Sequence, residues 1–161
     1  MTGQLDHDVA RIIQQLLVDL GGLVVDPDGV TAWPIYVGSM PDAPDNCVSI
    51  RDTAGVDQGR NMATGLLAEK LGIQTRIRSA GPVDGYVKAA ALHNRMSQNA
   101  AGTLPLTNTS VTVIDEVGTA SSVYNVISIQ HTGPVLRLGP DGASHRYLWT
   151  INSLVTLRKT A

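Results

Sequence analysis

The chain has 161 residues, 43% of them hydrophobic and 16% charged, which is enough apolar material for the core of one domain spanning residues 1–161. Twelve basic against fourteen acidic residues give a net charge of −2, which argues against a protein that grips nucleic acid by its phosphates. A single cysteine, Cys47, excludes an internal disulfide and a cysteine-based zinc cluster.

The hydropathy pattern indicates a protein without a membrane segment. No apolar run approaches the ~18–20 residues needed to cross a bilayer. The N-terminus, MTGQLDHD, carries acids where a signal peptide has basic residues. We therefore expect a soluble protein that is made and used without export.

The first predicted element is an amphipathic helix. Its apolar residues recur with helical spacing, so they share one face; they are Val9, Ile12, Ile13, Leu16, Leu17 and Leu20. Asp6 is the predicted N-cap, and Gly21 or Gly22 the predicted C-terminal stop. We expect this face to be buried against a sheet.

Short strand-like runs follow at Leu23–Val25, Ala32–Val37 and Asn46–Arg51. Pro34 lies inside the second run, which places that run at a sheet edge or a bulge. The next stretch, 52–70, has three glycines and no clean period. We predict a long loop there, with one helical turn at Leu66–Lys70.

A strand and a helix are then predicted between Leu71 and Gln98. Ile73, Thr75 and Ile77 alternate with polar residues, which is typical of a strand with one buried face. Gly81 and Pro82 end that strand, and Asp84 is the predicted cap of a helix over Gly85–Gln98. The residues expected to face inward from this helix are Val87, Ala90, Ala91, Leu92 and Met96.

Four further strands are predicted, at Asn108–Ile114, Val123–His131, Val135–Leu138 and His145–Leu157, with a turn at 139–142 joining the last two. Strands dominate, and the two helices are segregated instead of alternating with them. The pattern favours an α+β fold, with a mixed, mostly antiparallel sheet and two main helices packed against it.

The residue patterns that usually carry chemistry are missing from this sequence. It contains neither glycine-rich phosphate-binding motif, and its four histidines do not have the spacing of a helical metal pair. Asp115 and Glu116 are adjacent, so on a strand they would face opposite ways. We therefore predict no catalytic, cofactor-binding or metal-binding residue.

Arginines are the remaining candidates. Arg51, Arg76 and Arg78 lie on predicted strands, and a spacing of two puts Arg76 and Arg78 on one face. One interpretation is a solvated sheet face paired with nearby acids. The other is a polar contact surface between subunits, since arginine forms bidentate pairs and is enriched at interfaces.

Three segments resemble those of a known family. They are PDNCVSI at 44–50; IQTRIR at 73–78, followed by a helix beginning near Gly85-Tyr86; and Gly139-Pro140-Asp141 with Arg146 and Asn152. Their order and spacing, over Pro41 to about Val155, resemble the tail terminator (minor capsid, tail completion) proteins of long, flexible-tailed bacteriophages. The resemblance implies a subunit that assembles into a closed ring, typically a hexamer, and that catalyses no reaction.

Such a ring would cap the tail tube, end its polymerisation and join the tail to the head connector. The implied partners are copies of the chain itself, the tail tube protein and the head-tail connector protein, with DNA passing through the lumen without specific binding. The implied location is the head-proximal end of the virion tail, after synthesis in the host cytoplasm. The candidate subunit-interface residues are Arg51, Arg60, Met62, Arg76 and Arg78.

Other functions remain open at this stage. The chain could be a head-tail connector or adaptor, or another binding domain without enzymatic activity. A small enzyme with an unrecognised site is the third alternative. The oligomeric mass of the purified protein would separate the ring from the other two.

Overall fold

The computed structural model describes residues 5–25, 33–60, 67–97, 108–115, 118, 120–140 and 145–160, with the backbone only at 56–60 and 67–69. Within these ranges, two helices and seven strands follow each other in the order α1 (Val9–Asp19), β1 (Ile35–Val37), β2 (Cys47–Arg60), β3 (Leu67–Ser79), α2 (Pro82–Met96), β4 (Thr109–Ile114), β5 (Ser121–His131), β6 (Leu136–Pro140) and β7 (Tyr147–Lys159). No helix in these ranges is long and apolar enough to cross a membrane.

Helix α1 forms as its periodicity predicts, and all six predicted apolar residues are buried. The predicted cap is wrong by two residues: Asp8, not Asp6, accepts a hydrogen bond from the backbone N–H of Arg11. Asp6 instead pairs with Lys159 at 2.6 Å. The helix ends before Gly21 and Gly22, whose positive φ angles of 84° and 88° suit glycine.

The sheet has the strand order β1-β2-β3-β7-β5-β4, and β6 also pairs with β7. β1 lies parallel to β2, and the other pairings are antiparallel. The predicted α+β class is therefore confirmed. β1 is an edge strand, as Pro34 just before it indicated. The strand predicted at Leu23–Val25 is only an isolated bridge from Val24 to Pro34.

Both helices cover the same side of the sheet, which we call the inner face. One apolar cluster joins residues of α1 and α2 to alternate residues of the central strands, among them Ile77 and Ile151. The end of α1 is also tied to α2, because Lys88 donates to the carbonyl of Gly22 at 2.6 Å and Arg95 donates to that of Leu20. The opposite side, the outer face, carries no helix among the described residues.

The segment predicted as a long loop belongs mostly to a β-hairpin. β2 continues to Arg60 and β3 begins at Leu67, so the loop predicted at 52–70 is wrong over 52–60 and 67–70, and the helical turn predicted at Leu66–Lys70 is wrong over 67–70. Residues 61–66 lie outside the described residues. The pairing shifts register between Thr53 and Val56, which breaks the alternation that would indicate a strand. Gly55 permits a close approach there, since a Cβ would lie 2.5 Å from the carbonyl oxygen of Lys70.

Helix α2 begins three residues earlier than predicted. Gly81 is its N-cap and makes no side-chain capping bond, while Asp84 lies inside the first turn. Pro82 suits the start of a helix because a backbone N–H at that position would have no acceptor within the helix. Proline therefore loses no hydrogen bond there. The predicted strands after α2 are present with shifted ends, and Asp141 and Gly142 of the predicted turn lie outside the described residues.

Candidate subunit-contact surface

The arginines singled out from the sequence lie on the outer face of the sheet. The register pairs Arg51 with Gln74, Ser49 with Arg76, and Cys47 with Arg78. Because strand residues alternate between faces, Arg51, Arg76 and Arg78 share the side opposite the helices. The outer face has two ends with different surroundings.

At one end, Arg78 is buried, with 4% of its surface exposed. Its Nη2 donates to the carbonyl oxygens of Pro41 at 2.6 Å and Pro44 at 2.7 Å, while its Nε has no partner among the described residues. The expectation that Arg78 lies on a solvent-accessible face beside Arg76 is therefore wrong. The two carbonyl oxygens offset part of the cost of burying this guanidinium.

The segment over Arg78 is fixed at further points. Arg146 donates to the carbonyl of Asp42 at 2.6 Å and lies 3.6 Å from a carboxylate oxygen of Asp45. The Asn46 side chain accepts from Ser79 and from the N–H of Ala80, both at 3.0 Å. This cover also buries Cys47, and burial raises the pKa of its thiol, which disfavours the reactive thiolate.

At the other end, the outer face is open and cationic. Arg51 is exposed, and Arg76 and Lys70 are half-buried. The Nε of Arg76 donates to Gln74 at 3.1 Å, and Lys70 donates to Gln130 at 3.2 Å. We call Arg51, Lys70 and Arg76 the cationic face.

The cationic face lacks acidic partners within the described part of the chain. The three ion pairs found there involve His7, Arg146 and Lys159 instead. The neighbours along the face are amides, with Gln74 donating to Asn152 at 2.9 Å. Amides satisfy hydrogen bonds but leave the net positive charge of the surface in place, so it is suited to a partner that brings carboxylates.

The remaining two candidates cannot be compared with the structure. Arg60 is the last residue of β2 and pairs with Leu67, but only its backbone is described. Met62 lies outside the described residues. Both stay predictions.

A second exposed surface was missed by the sequence argument. Val87 was predicted to face inward, yet it is 59% exposed, and Ala91 is exposed as well. Of the five residues predicted to face inward, Leu92 and Met96 are buried and Ala90 is half-buried. The helix turns Gly85 and Ala89 to the sheet instead. The spacing of these two small residues was the available signal, since small residues allow a helix to approach a sheet closely.

Three of the histidines, His7, His93 and His131, make structural contacts. His7 hydrogen-bonds Tyr124 at 2.7 Å and Asp115 at 2.9 Å, tying the start of the described chain to β5 and the end of β4. His131 stacks on His93, with 3.8 Å between the two ring centroids. No group of three or more metal-binding side chains occurs in the described ranges.

Comparison with known proteins gives one family match. Residues 16–157 match a family model whose description is bacteriophage tail terminator protein. No curated protein matches the chain in a sequence search. The match confirms the family indicated by the motifs at 44–50, 73–78 and 139–152.

Proposed function

Because the chain belongs to the bacteriophage tail terminator family, we propose that it assembles into a closed ring that caps the tail tube. Family membership gives the chain a structural role in a phage tail. Within that role, the ring would contain six copies, end tube polymerisation and join the tail to the head connector. Its partners are then further copies of the chain, the tail tube protein and the head-tail connector protein.

The cationic face is the observation that carries the proposal. Arg51, Lys70 and Arg76 lie along one open sheet face without acidic partners in the described residues. An isolated subunit gains nothing from leaving three such cations uncompensated, whereas a neighbour bearing carboxylates would form charge-assisted hydrogen bonds with them. We assign Arg51 and Arg76 to contacts between subunits, and retain Arg60 and Met62 as further candidates.

Arg78 has a different role in this proposal. Its guanidinium binds the carbonyls of Pro41 and Pro44 within the same subunit. It therefore supports the fold beneath the contact surface and does not itself reach a neighbour. The proposed set of contacting arginines is Arg51, Arg60 and Arg76.

The charge of the chain bears on the path of the genome. With a net charge of −2, the ring offers no general basic excess to the DNA that would pass through its lumen. Strong phosphate contacts would also hold the genome back. We therefore propose that the ring binds DNA weakly and without sequence specificity.

The remaining parts of the proposal concern location and organisation. The protein is made in the host cytoplasm and lies at the head-proximal end of the tail. Residues 1–161 form one domain, which catalyses no reaction.

Native mass measurement and electron microscopy test this function. The purified protein is examined with and without tail tubes of the matching phage. We expect one discrete ring of about six copies, seated at one end of each tube, and no further elongation when tube protein is added. The control is the tube without the protein, which should keep elongating.

Two results would contradict the proposal. In one, the tubes remain uncapped and the protein stays monomeric at every concentration. In the other, the protein binds the isolated head connector but not the tube, which would identify a connector or adaptor instead.

A further inference from the structure

Helix α2 presents an apolar ridge to solvent. Val83, Tyr86 and Val87 are 71%, 57% and 59% exposed, and their spacing puts them on one face of the helix. This face points away from the sheet, because Gly85 and Ala89 occupy the buried side. We call these three exposed residues the α2 ridge. Exposed apolar residues grouped in this way are typical of a contact site.

An acidic residue flanks the α2 ridge. Asp84 is exposed in the first turn of α2, and its carboxylate has neither a hydrogen bond nor an ion pair with any described residue. The positive end of the helix dipole favours a carboxylate at this position but supplies no cationic side chain. The α2 ridge therefore borders a negative charge that has no cationic partner among the described residues.

The α2 ridge and the cationic face lie on opposite sides of the same sheet. α2 packs on the inner face, with Gly85 against Trp149, while Arg51 and Arg76 are on the outer face. They cannot meet within one subunit. They can meet between two copies arranged head to tail, and such a contact uses two different surfaces and repeats around a closed ring.

We propose that the α2 ridge of one copy docks on the cationic face of the next copy. The inference rests on the proposed ring and identifies its two contact surfaces. Charge complementarity selects a second copy as the occupant: Asp84 of one copy is opposite in charge to Arg51 and Arg76 of the next, and none of the three has an ion pair among the described residues. The exposed ring of Tyr86 adds a surface on which a guanidinium can stack. The amides of Gln74 and Asn152, which hydrogen-bond each other beside the two arginines, make the rest of this surface polar.

The test uses two charge reversals. Arg76→Glu and Asp84→Arg each place like charges across the proposed contact, so each variant alone should form rings with an association constant at least about tenfold lower. Both residues are at least partly exposed, so thermal unfolding should match the wild type. Ring formation is measured by native mass and by images with tail tubes present.

The decisive experiment mixes the two variants and asks whether ring formation is restored. In an alternating ring, one contact joins the two reversed residues and the next joins the wild-type pair, so every contact has opposite charges. An equimolar mixture should therefore regain rings with even subunit numbers. The matched control is an equimolar mixture of Asp19→Arg and Arg11→Glu, which lie on α1 outside both surfaces and should assemble alone and together.

The possible failures are distinguishable. If the wild type forms no ring with or without tubes, both the proposed function and the contact are overturned. If the wild type caps tubes and either single reversal assembles normally, only the contact is overturned. If the single variants form rings but no longer cap tubes, the surface contacts the tube protein and the proposed subunit contact is overturned. If the single variants form no rings and mixing them restores none, the pairing of Asp84 with Arg76 is excluded and the contact is overturned as well.

Discussion

Gly85 of α2 lies directly against the indole of Trp149 on β7. A Cβ atom at Gly85 would come within 3.0 Å of three ring atoms, a separation that real Cβ atoms do not reach. Trp149 is 2% exposed and cannot swing out to solvent. This contact sets the rotation of α2, and with it the outward direction of Val83, Tyr86 and Val87.

The first prediction follows from that contact. Gly85→Ala should destabilise the subunit by about 1–3 kcal/mol through overpacking, although alanine would favour the helix by about 1 kcal/mol at an unhindered position. Chemical denaturation measures the change. Ala91→Gly, at an exposed position of the same helix, is the control and should cost only about 1 kcal/mol. A stabilised Gly85→Ala variant would contradict the packing described.

The first helix provides a second test. Leu16 has no exposed surface, and Leu16→Ala should cost about 2–5 kcal/mol because a cavity forms between α1 and the sheet. Gln15→Ala, on the half-exposed side of the same turn, should change the free energy of unfolding by less than about 0.5 kcal/mol. Equal effects of the two substitutions would mean that α1 does not contribute to the core.

The third prediction separates the two arginines that the sequence placed together. Arg78→Ala leaves the carbonyls of Pro41 and Pro44 without their donor, so the subunit should lose about 2–4 kcal/mol. Arg76→Ala removes a half-exposed side chain bonded to Gln74 and should cost less than about 0.5 kcal/mol. Urea denaturation of both variants measures the two losses of unfolding free energy. A larger loss for Arg76→Ala than for Arg78→Ala would refute the assignment of Arg78 to the fold.

Local pattern was enough for some of these elements and not for others. The period of α1 and the alternation of Ile73, Thr75 and Ile77 depend on neighbouring residues, and both elements form as predicted. The β2–β3 hairpin was not predicted because the register shift near Gly55 and the close backbone approach at Gly72 depend on the partner strand. In the sequence alone, glycines that permit such an approach look the same as glycines of a loop.

The contact surface shows the same division. Alternation along β3 correctly puts Arg76 and Arg78 on one face. It cannot reveal that a segment 34 to 37 residues earlier in the chain folds over Arg78. The exposure of the α2 ridge likewise depends on Trp149, which lies 64 positions after Gly85 in the sequence.

The fourth prediction concerns pH. Burial lowers the pKa of His131 below its ordinary value of 6.5, and this effect outweighs the hydrogen bond to the carbonyl of His93, which raises the pKa. The folded state therefore binds this proton less readily than the unfolded chain does. His131 contributes its full stability above pH about 6.5, and this contribution falls as the pH drops below that value. His131→Gln should flatten the decline in unfolding free energy between about pH 7 and 5.5; an unchanged slope would contradict it.

The last prediction concerns DNA. Because the net charge is −2 and the cationic face is assigned to neighbouring subunits, the assembled wild-type ring should bind duplex DNA weakly or not at all at roughly physiological salt. Arg51→Glu combined with Arg76→Glu should abolish the ring and leave the subunit folded, since Arg51 is exposed and Arg76 half-buried.

Fluorescence anisotropy with a labelled duplex measures the DNA binding, and native mass measures the ring. Arg11→Glu is the matched control, because it reverses a charge on α1, on the other side of the sheet from the cationic face, and should leave both readouts unchanged. Tight binding by the wild type would appear as a steep fall in affinity with salt, since each neutralised phosphate releases a counterion. If that binding disappeared in the double variant while the ring stayed intact, the cationic face would be a nucleic-acid site and not a contact between subunits.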